Sequence, residues 1–393
     1  MILKWKNLFC VVLCLVSLVC PCSPVMAEVN EDHLSLSVPA YVLMEPETGT
    51  VIAEKDMDTR RCPASVTKIM TLLLIYDHMA EGKIKPEDMV TTSAYAKSMG
   101  GSQVFLEEGE TQSVETMIKC IVIASGNDAS VAMAEHIAGS EPEFVKRMNT
   151  RAQELGMKHT HFVDCCGLTD SDEHYTTPYD IALMSRELIN KYPQILEYSS
   201  VWMDTITHTT KQGTKEFGLS NTNRLIRSYK GCVGLKTGST SKAGFCLSAV
   251  AKRNGIRLIA VVMAAPDSKT RVRETAALLD YGFSRCSLYE DTDPGKLPEL
   301  TVKRGVRKQV PLVYEGSFRY LSTDGTVVES PEKKLAVPEE VEAPVKKGQK
   351  AGELIYCSQN GKELGRVAVL YGENVKKASY LDCLKSTAGE FCF

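Results

Sequence analysis

Two apolar runs, residues 244–252 and 256–264, flank Arg253-Asn254-Gly255. Asn-Gly is the pair that two-residue hairpin turns favour, because both turn positions take positive φ. The runs therefore predict two neighbouring antiparallel strands. A second hairpin is expected upstream, with Tyr41 to Met44 and Thr50 to Glu54 flanking Glu47-Thr48-Gly49. Helical patterns surround these strands. Val66, Ile69, Met70, Leu73 and Leu74 recur at helical spacing and predict a helix over 65–80. Ser113 to Ile123 reads as an apolar helix, followed by a second one through Ala138. Thr177-Pro178 supplies an N-cap and a first-turn proline for a helix reaching Lys191. A last helix is expected from about Lys269 to Phe283. Mixed helices around an antiparallel sheet make an α+β domain.

Chemistry is concentrated in three short segments: Ser65-Val66-Thr67-Lys68, Ser125-Gly126-Asn127 and Lys236-Thr237-Gly238. Residues three apart on a helix share a face, so the Ser65 hydroxyl and the Lys68 amine can meet. A serine near a helix start also feels the positive end of the helix dipole, which favours a developing anion. A lysine acts as a base only when neutral, and burial or a second cation lowers its pKa. Lys236 is a candidate for that second cation. Ser-x-x-Lys on its own is weak, for it occurs three times here: Ser65 to Lys68, Ser239 to Lys242, and Ser330 to Lys333. An isolated match is usually a solvated helix face. Order and context single out the first, because Ser125 follows Ser65 by 60 residues and Lys236 follows Ser125 by 111. Together the segments hold a nucleophile, two amines, a second hydroxyl and an amide, which is a set of parts for acyl transfer through a serine ester.

The three segments in this order resemble the serine-type D-alanyl-D-alanine carboxypeptidases, the low-molecular-mass penicillin-binding proteins. Pro63-Ala-Ser-Val-Thr-Lys-Ile-Met-Thr71, Ser125-Gly-Asn-Asp-Ala129, Gly234-Leu-Lys-Thr-Gly238 and the hairpin Gly244 to Ala264 carry the resemblance, which spans roughly residues 35 to 375. It implies a β-lactamase/transpeptidase-like catalytic domain and a small all-β C-terminal domain. It implies also that Ser65 attacks the bond between two terminal D-alanines of a peptidoglycan stem peptide, with Lys68 taking its proton. Ser125 would relay a proton to the leaving amine, and Asn127 would hold the substrate amide. Lys236 would attract the terminal carboxylate, while Thr237 and Gly238 line the strand on which the peptide lies. Backbone N–H groups of Ser65 and Ser239 would form the oxyanion hole. β-Lactams would acylate the same serine, and no cofactor is implied.

Arg271 transfers by position, thirty-three residues after Gly238, where the family places an arginine that helps bind the substrate carboxylate. The residues alone leave open a solvated helix arginine beside Arg273. The chain departs from the family at Val233, where aspartate is usual, at Cys232, and at Cys165-Cys166, where asparagine or proline is usual. These changes flank the site without removing a named role.

The chain of 393 residues is long enough for two domains, and 44% apolar content supports a sizeable core. Its net charge of −3 argues against a nucleic-acid partner. Seven scattered histidines show no zinc-ligand spacing, so no metal is expected. Residues 1–27 read as a secretory signal peptide: Lys4 and Lys6, an apolar run from Leu8 to Cys22, then Val25-Met26-Ala27. Export to the cell wall or the outer face of the cytoplasmic membrane follows, with anchoring by an uncleaved segment as the alternative. Of fourteen cysteines, ten follow this segment, and buried free thiols are preferred to disulfides in a chain this large.

The catalytic domain is expected over 28–288, and a β-rich domain over 289–375 follows the turn-rich stretch Glu290 to Gly295. Short strands are expected there at Val310 to Val313, Glu353 to Tyr356 and Arg366 to Leu370. The tail, 376–393, carries Leu381, Leu384, Ala388 and Phe391 at helical spacing. It reads either as an amphipathic helix on the membrane or as a frayed tail or packed helix. Three other activities fit parts of the pattern. A class A β-lactamase needs a Glu-x-x-x-Asn pair, which is absent between Ser125 and Lys236. A non-enzymatic wall-binding module or β-lactam sensor would tolerate loss of Lys68. A DD-endopeptidase shares the chemistry and differs in the leaving group.

Overall fold

The computed structural model describes residues 34–382 and residue 384. The proposed signal segment and the far tail lie outside the described residues. The central sheet is built from β1 (Ala40–Met44), β2 (Val51–Lys55), β3 (Cys232–Thr240), β4 (Gly244–Arg253) and β5 (Ile256–Ala265). Its order is β2-β1-β5-β4-β3, antiparallel throughout. The expected hairpin forms the middle of the sheet. Asn254 and Gly255 take φ of 49° and 77°, and Arg253 pairs with Ile256 across the turn. That is the primed turn the dipeptide favours.

Alternation along the strands decides what covers each face. Leu43 and Leu258 point to α6 (Ser268–Arg285), where Gly282 lets the helix approach so closely that a Cβ there would lie 2.6 Å from Leu43. Val42, Met44, Ile259, Val261 and Met263 face the other way, into the main core. That core is closed by α1 (Lys68–Ala80), α2 (Val114–Val122), α3 (Asn127–Ala138), α4 (Glu141–Glu154) and α5 (Pro178–Lys191). The Thr177 side chain caps α5, with Pro178 in its first turn, as the sequence predicts.

Three features depart from the expectations. Residues Ala64–Thr67 form a 3-10 turn, so the α-helix itself starts at Lys68. Helix α4 has a weakly apolar sequence with only Phe144, Val145, Met148 and Ala152 as buried apolar residues, and the reading above passes over it. The polar hairpin Met203–Thr210 with Gly213–Ser220 was also not expected, since its strands are largely exposed and carry few large apolar residues.

From residue 287 to 375 the described chain is β-rich. Strand Ser287–Asp291 pairs with Phe318–Ser322, so strand pairing begins directly after α6, ahead of the turn-rich stretch. A four-stranded sheet runs in the order Leu312–Tyr314, Glu363–Tyr371, Lys350–Cys357, Glu332–Ala336. A three-stranded one joins Gln309–Val310, Leu300–Lys303 and Glu340–Glu342. Phe318 stacks on Tyr356 at 3.7 Å within this small core. The expected strands near 310, 353 and 366 are present. The others escaped notice because they are short and interrupted by charged residues.

Candidate active site

The three predicted segments meet where the Ala64–Thr67 turn presses on strand β3. Gly238 makes that approach possible: a Cβ there would stand 2.7 Å from the Pro63 carbonyl oxygen and 2.9 Å from the Ser65 nitrogen. Ala64 and Ser125 both hold positive φ, 49° and 63°. Such conformations cost energy in a non-glycine residue and persist where surrounding contacts enforce them. Here they turn two hydroxyls toward the same space.

Lys68 sits at the first position of α1 with no solvent exposure. Its Nζ donates to Ser65 Oγ at 2.9 Å, to Asn127 Oδ1 at 2.6 Å and to the Cys166 carbonyl at 2.8 Å. Burial holds its pKa below the usual lysine value. Ser65 itself remains partly exposed, as a nucleophile must. Lys236, 1% exposed, reaches from β3 and donates to Ser125 Oγ at 2.9 Å. Its pKa is pushed well down, first by burial and then by the cations Lys68 and Arg271. The pair of amines thus divides the hydroxyls between them, Lys68 on Ser65 and Lys236 on Ser125. The expected influence of Lys236 as a second cation appears chiefly on Lys236 itself, while burial dominates at Lys68.

Asn127 begins α3. Its amide nitrogen side donates to the Gly100 carbonyl at 2.7 Å, and its backbone N–H to Ser102 O at 2.7 Å. Thr237 shares a hydrogen bond with Thr222 at 2.6 Å, between the two hydroxyls. Ser239 is exposed on β3 beyond Gly238. Arg271 corrects the solvated alternative: it is 6% exposed on α6. One guanidinium nitrogen donates to the carbonyls of Gly238 at 3.4 Å and Cys246 at 3.3 Å, and Nε is buried without a partner. All nine predicted residues therefore gather where the Ala64–Thr67 turn meets β3.

The other two Ser-x-x-Lys matches are surface features. Lys242 pairs with Asp172 at 2.6 Å and Lys333 with Asp291 at 2.5 Å, so each amine is engaged by a carboxylate. Sequence reasoning missed residues that act through the backbone. The Cys166 carbonyl is a partner of Lys68, a role that the side chains of Cys165-Cys166 do not signal. Gly167 has φ of 74°, and a Cβ there would lie 1.8 Å from the Ala64 oxygen, so only glycine lets this loop close behind the nucleophile. Asp128 accepts the backbone N–H groups of Val104 and Leu106 at 3.1 Å, fixing the loop that carries Gly100 and Ser102. A carbonyl leaves no mark in a sequence. The glycine and the aspartate were the available signals.

The chain is similar to known proteins in sequence and in fold. The sequence profile of D-alanyl-D-alanine carboxypeptidases matches residues 27–267, and that of the penicillin-binding protein 5 C-terminal domain matches residues 286–377. The chain is 43% identical over 363 residues to the D-alanyl-D-alanine carboxypeptidase DacF of Bacillus subtilis, covering 92% of this chain and 91% of that one. Identity to DacC of Escherichia coli is 33%, covering 90% and 88%. Among solved structures it is similar to penicillin-binding protein 5 from Haemophilus influenzae, with a TM-score of 0.65 and 30% identity over 87% of this chain and 98% of that one. It is similar also to PBP3 from Streptococcus pneumoniae, described as a peptidoglycan synthesis regulatory factor. That match has a TM-score of 0.70 and 25% identity over 87% of this chain and 100% of that one.

Proposed function

The chain belongs to the D-alanyl-D-alanine carboxypeptidase family, and on that premise we propose that it removes the terminal D-alanine of peptidoglycan stem peptides through an ester on Ser65. The contact that carries the reading is the one between Lys68 Nζ and Ser65 Oγ, 2.9 Å, with the amine fully buried. Neutral Lys68 takes the hydroxyl proton as Ser65 Oγ attacks the carbonyl carbon. The oxyanion is received by the backbone N–H groups of Ser65 and Ser239; the close approach of Gly238 to Ser65 supports that pairing. Ser125, backed by Lys236, passes a proton to the departing amine. D-Alanine leaves, and water then cleaves the ester. Lys236, Thr237 and Arg271 bind the substrate carboxylate between them. Arg271 acts partly at a distance, because its N–H groups hold the Gly238 and Cys246 carbonyls.

β-Lactams acylate the same serine. The three hydrogen-bond partners of Lys68 include no carboxylate, which favours a long-lived acyl-enzyme over rapid β-lactam turnover. Residues 1–27 direct export, and the enzyme works on the outer side of the cytoplasmic membrane or in the wall. Tyr380, Leu381 and Leu384, exposed by 78, 67 and 49%, support a tail that rests on a membrane surface. The β-rich part serves as a spacer for the catalytic part.

The test is D-alanine release from a peptide ending in D-Ala-D-Ala, with Ser65→Ala as control. Release by the parent and none by the variant is the expected result. Equal release by both excludes Ser65 as the nucleophile.

A further inference from the structure

Behind Lys68 lies a cluster that the carboxypeptidase chemistry does not use. Cys165 and Cys166 are fully buried and Glu141 is 7% exposed. Their two sulfurs and a carboxylate oxygen all lie within 4.8 Å of one another. Each is held in place. Glu141 accepts the Cys165 N–H at 2.9 Å and the Tyr95 hydroxyl at 2.6 Å. Asp164 accepts the N–H groups of Cys166 and Thr169 at 2.9 and 2.8 Å, which fixes the loop that presents the thiols. The Cys165 carbonyl accepts from Thr71 and the Cys166 carbonyl from Lys68. Both carbonyls thus face α1 while the side chains gather at Glu141.

Two thiols beside a carboxylate place three metal-ligating atoms in one small buried space. A thiophilic divalent cation fits that donor set. It replaces both thiol protons and is coordinated by the carboxylate, so the net charge of the group is the same before and after binding. Thiolate and carboxylate are donors that zinc accepts. In a tetrahedral site two sulfurs at ~2.3 Å from the ion stand ~3.8 Å apart, so the ligand atoms need to draw in by at most about 1 Å. Tyr95, 50% exposed, stands at the outer end of the Glu141 carboxylate and marks the way in from solvent.

We propose that Cys165 Sγ, Cys166 Sγ and a Glu141 carboxylate oxygen bind one Zn2+ ion directly behind Lys68, and that its binding slows acylation of Ser65. The binding step is balanced without redox chemistry. Zn2+ forms two Zn–S bonds and one Zn–O bond, and the two thiol protons pass to solvent. Water takes the fourth position. Drawing adjacent sulfurs onto one ion shifts the Cys166 Cα, and with it the Cys166 carbonyl that accepts from Lys68 Nζ.

The experiment uses the full chain, stripped with a chelator and kept reduced. Zinc content is measured after dialysis against Zn2+, and Cd2+ is added separately to read thiolate-to-metal charge-transfer absorbance in the ultraviolet. Cys165→Ser and Glu141→Gln are compared with the parent, and thermal melting confirms that each folds. The parent is expected to hold one zinc more per chain than Cys165→Ser, whose cadmium band is smaller. Glu141→Gln is expected to bind zinc at least tenfold more weakly. Zinc is expected to slow fluorescent-penicillin acylation of the parent severalfold and to leave the rate for Cys165→Ser unchanged. Equal zinc content and equal bands in parent and Cys165→Ser overturn the site. Zinc bound through these residues with no change in acylation overturns its link to Lys68.

Discussion

Gly238 and Lys68 govern the chemistry at the scale of single residues. Gly238 has no side chain because the Ser65 turn occupies the space where a Cβ would go. In Gly238→Ala the strand and the turn must separate by several tenths of an ångström or more. Backbone donors to an oxyanion tolerate little misplacement, and loss of one costs roughly 100-fold or more. Gly238→Ala is therefore expected to slow β-lactam acylation by about that factor, as read by stopped-flow, with a melting temperature close to the parent's. A near-parental rate would place the oxyanion donors elsewhere. The pH dependence follows from Lys68. Only its neutral form accepts the Ser65 proton, and burial lowers its pKa from the ordinary lysine value. Acylation should rise with pH through that depressed pKa and reach its plateau at a lower pH than titration of a solvated lysine would give.

Helices and loops place these residues. Asp128, 1% exposed in the first turn of α3, ties down the loop from Gly100 to Leu106 through two backbone N–H groups. Removing the acceptor leaves both donors buried without partners, at about 1–3 kcal/mol each. Asp128→Ala is expected to lose about 3 kcal/mol in urea denaturation and to raise KM for the peptide substrate more than it lowers kcat. A change below 0.5 kcal/mol would mean that the loop is held by other contacts. Much of this element scale was legible in advance. The Asn254-Gly255 hairpin, the capped helix at Thr177 and the helices flanking Ser125 follow from local turn chemistry and apolar periodicity, which act over a few residues. The polar hairpin at 203–220 and helix α4 were not legible, because each is defined by what it packs against. The same distinction holds in the site. Ser65, Lys68, Ser125, Asn127 and Lys236 announce themselves by side-chain chemistry. The Cys166 carbonyl, the Thr222 hydroxyl and the strained φ of Ala64 appear only when distant segments meet.

Across the molecule, Arg319 links the β-rich part to the catalytic sheet. It bridges Glu47 at 3.0 Å, Glu290 at 3.1 Å and the Gly255 carbonyl at 2.8 Å. The arginine is 37% exposed, so each charge pair is screened and adds little alone. Arg319→Ala is expected to cost about 1 kcal/mol or less and to leave acylation at the parental rate. Its effect should show instead in limited proteolysis, as faster cleavage between residues 286 and 300. Unchanged proteolysis would mean that apolar contact, such as Leu288 against Gly255, holds the two parts together without the arginine.

The account rests on Lys68 acting as the base for Ser65. The most direct measurement is the second-order rate of β-lactam acylation for the parent and for Lys68→Arg, followed across pH. Arginine is charged at every accessible pH and cannot give up its proton. The parent should rise with pH to a plateau, while Lys68→Arg should run at least 100-fold slower with no such rise. A Lys68→Arg rate within tenfold of the parent, with the same pH profile, would contradict the account.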